Sequence, residues 1–177
     1  KKRIPWLTIL LGLGLLVSAV VGLFDGVIAK FAYLVSFQSM ILDMAGNVGT
    51  QSLAVTIRVL SQDETDGKTA RRLFFKELRV GFVNALIVSV IAFITSFAYM
   101  LFAVKSVAQP WLSALCISLA MLIAMILSSC MGTLTPMAFK KLKIDPAVAS
   151  GPLITTLNDM VAVTVYYSLA MLLLTAV

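Results

Sequence analysis

Histidine is absent from this chain, and charge is scarce: 12% of its residues are Asp, Glu, Lys or Arg, where an average soluble domain carries roughly a quarter. Without histidine, the commonest transition-metal ligand and the usual proton shuttle are both missing. There are two cysteines. Cys116 and Cys130 lie in one apolar run with no polar cluster beside them, so they read as small buried residues. No HExxH motif occurs and no Ser–Lys pair shares a depth, which excludes an enzyme working within a membrane.

What remains is apolar. Hydrophobic residues make up 60% of the 177 positions, and the mean hydropathy is +1.03. Several runs exceed the ~18–20 residues that carry a helix across a bilayer core. The expectation is an all-α integral membrane protein of the cell membrane, a single transmembrane domain over residues 1–177. Five spans are expected, at about 4–24, 31–60, 80–104, 111–137 and 147–177. The connections between most of them are short, so successive helices should be antiparallel neighbours. Lys1, Lys2 and Arg3 precede a run too long for a signal peptide, with no A-x-A-like cleavage site at its end.

The net charge of +6 does not point to nucleic acid, because the basic residues fill the gaps between apolar runs. Lys1, Lys2 and Arg3, then the six between Arg58 and Arg79, then Lys140, Lys141 and Lys143 fall on one side. Only Lys30 and Lys105 fall on the other, which places the N-terminus in the cytoplasm and the C-terminus outside. The segment "SQDETDGKTARRLFFKELR" is the one long polar stretch. Asp66 or Thr69 could cap a short helix there that turns Leu73, Phe74 and Leu78 to the membrane.

Polar residues inside the spans carry the functional signal. In span two, Asp43, Asn47, Thr50, Gln51 and Arg58 share one helical face among Leu, Val, Ile, Ala and Met. Such a stripe faces a polar neighbour or water. Gly46 and Gly49 in the same stretch allow close helix approach or a local hinge. Span five supplies a second stripe. Asp145 and Pro146 suit its N-cap and first helical position, and Pro152 frees a carbonyl one to two turns later. Thr155, Thr156, Asp159, Ala162 and Tyr166 then share a face. Asp159 lies ~18 Å along the helix from Ala147, near the middle of a ~30 Å core, and Asp43 reaches a comparable depth. No Lys or Arg lies at that depth to offset two carboxylates, each costing on the order of 3 kcal/mol to insert. A visiting cation or proton is the alternative, and hard oxygen donors without His or thiolate favour Mg²⁺, Ca²⁺ or Na⁺. So sparse a site suits a Mg²⁺ that keeps most of its water.

Four segments, "MAGNVGTQSLAVTIR", "KELRVGFVNA", "GTLTPMAFKKLKIDPA" and "PLITTLNDMVAVTVYYSLA", resemble in order and spacing the membrane domain of the MgtE family of magnesium channels and transporters. The resemblance implies a homodimer in membrane lipid, with a central path for the transported Mg²⁺ lined by spans two and five of both subunits. It implies that Asp159 binds the hydrated ion, that Thr155, Ala162 and Gly151 line the path with Asp43, Asn47, Thr50 and Gln51, and that Asp145 stands at the cytoplasmic mouth. Asn47, Gly49 and Gln51 match the family's glycine–asparagine–glycine–glutamine pattern. Ala45 stands where relatives often carry glycine, and Gly151 where they carry asparagine. Relatives usually add a cytosolic region with paired CBS domains that senses Mg²⁺; this chain does not contain it. Two other readings stay open: an exchanger coupled to Na⁺ or H⁺, and a non-transporting membrane scaffold whose polar stripes hold helices together.

Overall fold

The computed structural model describes residues 4–61, 67–104, 107–143 and 151–175, and among these the chain is helical without strands. The helices are α1 (Ile4–Gly22), α2 (Asp25–Lys30), α3 (Val35–Leu60, entered through a 3-10 turn at Ala32–Leu34), α4 (Gly67–Phe102), α5 (Pro110–Lys141) and α6 (Gly151–Leu174). Four of them, α1, α4, α5 and α6, are long and apolar enough to cross a membrane. The protein is a multi-pass membrane protein. At 26 residues, α3 also has the length, about 39 Å at 1.5 Å per residue, but its polar stripe makes it less apolar than the other four.

Contacts fix the relative directions. Tyr33 Oη lies 2.7 Å from Ser113 Oγ, Ser52 Oγ 3.0 Å from Ser129 Oγ, and Lys140 Nζ donates to the Leu60 carbonyl at 2.7 Å. Both chain segments advance together, so α3 and α5 run parallel. Against α6 the order reverses: Tyr166 donates to the Leu34 carbonyl (2.9 Å) and Tyr167 to Gln38 Oε1 (2.6 Å), whereas Ile154 packs with Leu53. Both tyrosines bury large aromatic bodies and spend their hydroxyls on partners, as buried Tyr requires. They hold α6 alongside α3. Lys140 and Leu60 also bring the basic ends of α3 and α5 to one end of the bundle.

Helix α5 is the centre. It starts with Pro110, whose missing N–H is no loss in a first turn. Its buried face is rich in small residues, from Ser113, Ala114 and Ala120 to Ser128, Ser129 and Gly132. It ends on Lys140 and Lys141, favourable beside a helix C-terminus, and Lys143 follows in the left-handed region that commonly stops helices (φ 60°). Helix α4 presents a matching stripe, Leu73, Glu77, Gly81, Ala85, Ser89, Ala92, Ser96 and Met100, all buried. A methyl on Gly81 would lie only 2.5 Å from Ser129 Oγ, so glycine there sets how closely α4 approaches α5. By contrast α1 buries no residue and meets the bundle along α6, where Phe24 stacks on Tyr167 at 5.7 Å.

Two expectations change. The polar segment before Arg79 is not a separate capped helix: from Gly67 onward it is continuous with span three, a 36-residue helix. With no proline from Gly67 to Phe102, nothing breaks the ladder. Leu73, expected to face the membrane, is instead buried against the bundle, 6% exposed, because it heads the inward stripe. Asp66 lies outside the described residues.

Candidate functional site

Helices α3 and α6 share an open cavity of about 440 Å³. Asp43, Asn47 and Thr50 line it from α3, and Thr155 and Asp159 from α6. Gly46 lies between them; a methyl there would sit 3.5 Å from Thr155 Cγ2, so the two helix backbones are close at this level. Among the described residues no Lys or Arg lines the cavity. The antiparallel packing fixed by Tyr166 and Tyr167 is what brings a carboxylate from each helix to one space.

The local hydrogen bonds leave acceptors facing that space. Asn47 Nδ2 donates to Asp43 Oδ2 at 3.2 Å, one turn apart on α3. Thr50 Oγ1 donates back to the Gly46 and Asn47 carbonyls, both at 3.0 Å, so its hydroxyl oxygen keeps its lone pairs outward. Asp43 and Asn47 are exposed on the single chain, Thr50, Thr155 and Asp159 partly so. Among the described residues no three His, Cys, Asp or Glu side chains converge. Two carboxylates, an amide and two hydroxyls are hard oxygen donors, too few to strip a divalent ion of its water but suited to hold a hydrated one.

Other residues of the two stripes stand elsewhere. Gln51 lines a separate cavity of about 200 Å³ with Asn84 of α4 and Met125 of α5; one residue past Thr50, it is turned ~100° away. Ala162 and Tyr166 are buried between helices and do not line the α3–α6 cavity. Gly151, also outside that cavity, opens α6 with no described residue within 4 Å of where a methyl would stand. Pro152 is therefore the second residue of the described helix, and its carbonyl accepts from Thr156 at 2.9 Å. Gly49 is packed against α5 and α6 rather than the cavity. Asp145 and the Val148 carbonyl lie outside the described residues. Ser39 and Leu42 also line the cavity; Ser39, four residues before Asp43 on the same face, was within reach of the spacing argument.

Helix bundle and cleft together define a membrane protein with an anionic polar cleft suited to a hard cation. The sequence model of the MgtE family, described as a divalent cation transporter, matches residues 38–169. The chain belongs to that family. It is similar to the magnesium transporter MgtE of Bacillus subtilis (37% identical over 96% of this chain), of Enterococcus faecalis (36% over 96%) and of Thermus thermophilus (30% over 99%). The same alignments cover 36–37% of those proteins, so the chain spans little more than a third of their length.

Proposed function

We propose that this chain forms a membrane pathway for Mg²⁺, with α3 and α6 as its walls and Asp159 as the residue that binds the hydrated ion. One observation carries the reading: carboxylates from two helices, Asp43 and Asp159, open on one cavity with no Lys or Arg lining it among the described residues. A divalent ion supplies the missing charge. The three relatives are magnesium transporters, which supports magnesium as that ion.

In this reading α3 is a fifth span, and a second copy of the chain completes the path across a dimer axis. The exposure of Asp43 and Asn47 on a single chain supports a partner, since a carboxylate is costly against lipid. The shared end of Lys140, Leu60 and Arg58 supports a cytoplasmic placement for that end, and hence for the N-terminus. Conduction is passive. At 100 mV an inward divalent ion gains ~4.6 kcal/mol, a sufficient drive without a coupled ion.

The test is Mg²⁺ uptake by proteoliposomes, wild type against Asp159→Asn, with and without an imposed Na⁺ or pH gradient. Uptake that ignores the gradients and drops at least about tenfold in the variant supports a passive pathway built on Asp159. Flux that follows a gradient makes the protein an exchanger. No flux in the wild type returns the scaffold reading.

A further inference from the structure

Asn158 precedes Asp159 but points away from the cavity. Its side chain is fully buried, 0% exposed, and among the described residues neither Oδ1 nor Nδ2 has a hydrogen-bond partner, nor has the Ser128 hydroxyl of α5. Buried carboxamides without partners are rare, because burial costs them their water with nothing in return. Something other than hydrogen bonding holds this one in place.

The glycines show what it is. A methyl on Gly49 of α3 would overlap Asn158 Nδ2 and lie 3.1 Å from its Cγ and 3.2 Å from the Ser128 carbonyl. A methyl on Gly132 of α5 would overlap the Gly49 carbonyl. Three helices therefore meet where two side chains are missing, and the amide occupies the gap over Gly49. A carboxamide is planar and fits flat against a bare Cα, where the tetrahedral branch of leucine is thicker. Both sides of this contact adjoin the cavity: Thr50 follows Gly49, and Asp159 follows Asn158.

We propose that Asn158 is a positioning residue: its amide, seated on Gly49, fixes the rotation and separation of α6 against α3 and so sets where Asp159 stands relative to Asp43 and Thr50. This rests on the reading of Asp159 given above. Widening the contact moves Asp159 away from the α3 stripe and weakens ion capture without removing any donor.

The experiment is a double-mutant cycle in proteoliposomes on Gly49→Ala, Asn158→Ala and the pair, with Asn158→Leu as a fourth variant. The apparent KM for Mg²⁺, the maximal rate and the thermal midpoint of the purified protein are measured for each. Gly49→Ala should raise KM about tenfold, and Asn158→Leu about fivefold, with maximal rate changed less than KM. Adding Asn158→Ala to Gly49→Ala should return KM to within about twofold of Asn158→Ala alone, because truncation makes room for the methyl. Additive effects, or a fall in midpoint and maximal rate with KM unmoved, overturn the proposal and leave Asn158 as packing only. If Gly49→Ala does not fold, Asn158→Leu decides: an unchanged KM overturns the proposal and a raised one upholds it. Asp159→Asn on the same preparation separates the two readings. Undiminished flux there removes Asp159 as the ion residue; lost flux with an additive cycle removes only the positioning role.

Discussion

Helix α3 has two polar faces, and they differ in where their partners are. On the face towards α5, Ser52 and Thr56 are 4% and 0% exposed. Ser52 meets Ser129 at 3.0 Å, and Thr56 donates to the Ser52 carbonyl at 2.7 Å. Gly49 on that side takes Gly132 and Asn158 against its backbone. The face towards the cavity carries Asp43, Asn47 and Thr50, whose hydrogen bonds to protein stay within α3. The first face is closed by packing. The second is open on the single chain. Polar residues in a membrane helix thus divide by whether the chain itself completes them.

Breaking the closed face should have the largest effect. Gly132→Ala drives a methyl into the Gly49 carbonyl, a backbone atom that cannot swing aside. Overpacking of this kind costs about 1–3 kcal/mol, so the thermal midpoint should fall and the yield of folded protein with it. Gly151→Ala is the contrast: with no described residue within 4 Å, it should stay within about 0.5 kcal/mol of wild type. Equal midpoints for the two variants would dissolve the distinction between a packed and an open region.

The open face should respond in transport instead. Asp43→Asn keeps the shape and can still hydrogen-bond Asn47, but it removes one of the two charges facing the cavity. Seen through a hydration shell, that charge is worth about 1 kcal/mol to the ion, or roughly fivefold in apparent KM for Mg²⁺. The thermal midpoint should not fall. An unchanged KM would confine Asp43 to its contact with Asn47.

Spacing alone located much of the cleft. Asp43, Asn47 and Thr50 recur at helical intervals, as do Thr155 and Asp159, and both sets line one cavity. Gln51 belongs to the same run by composition, yet one step of ~100° places it beside Asn84. A single-helix projection cannot say which neighbour covers which edge of a broad stripe. Ala162 illustrates the same limit: it follows Asp159 by three residues on α6, yet it is buried and outside the cavity, on the stretch that Tyr166 and Tyr167 seat against the start of α3. Asn158 was illegible for a different reason: its meaning depends on Gly49 and Gly132, which lie far from it in sequence and act through side chains they lack. The join of the 67–79 segment to span three was readable in principle, because Leu73, Glu77 and Gly81 continue one stripe into Ala85 and Ser89. Charged residues at Arg71, Arg72, Lys76 and Arg79 fall between those positions and mask the period.

The smallest change sharpens the comparison most. Ser52→Ala removes one hydroxyl from the closed face and leaves Ser129, whose Oγ also donates to the Glu77 carbonyl at 3.2 Å. Because that second partner remains, no buried donor is stranded, and the loss should be near the ordinary net value of a hydrogen bond, about 1 kcal/mol. Mg²⁺ flux should be unaltered, since Ser52 lies on the opposite side of α3 from Asp43 and Thr50. Ser129→Ala removes the shared member, breaks contacts to both α3 and α4, and should cost more than Ser52→Ala. A transport defect in Ser52→Ala at normal stability would mean that the hydroxyl contacts of the closed face, and not the Gly49–Asn158 contact alone, shape the path, and that polar partners within the chain do not by themselves mark a residue as structural.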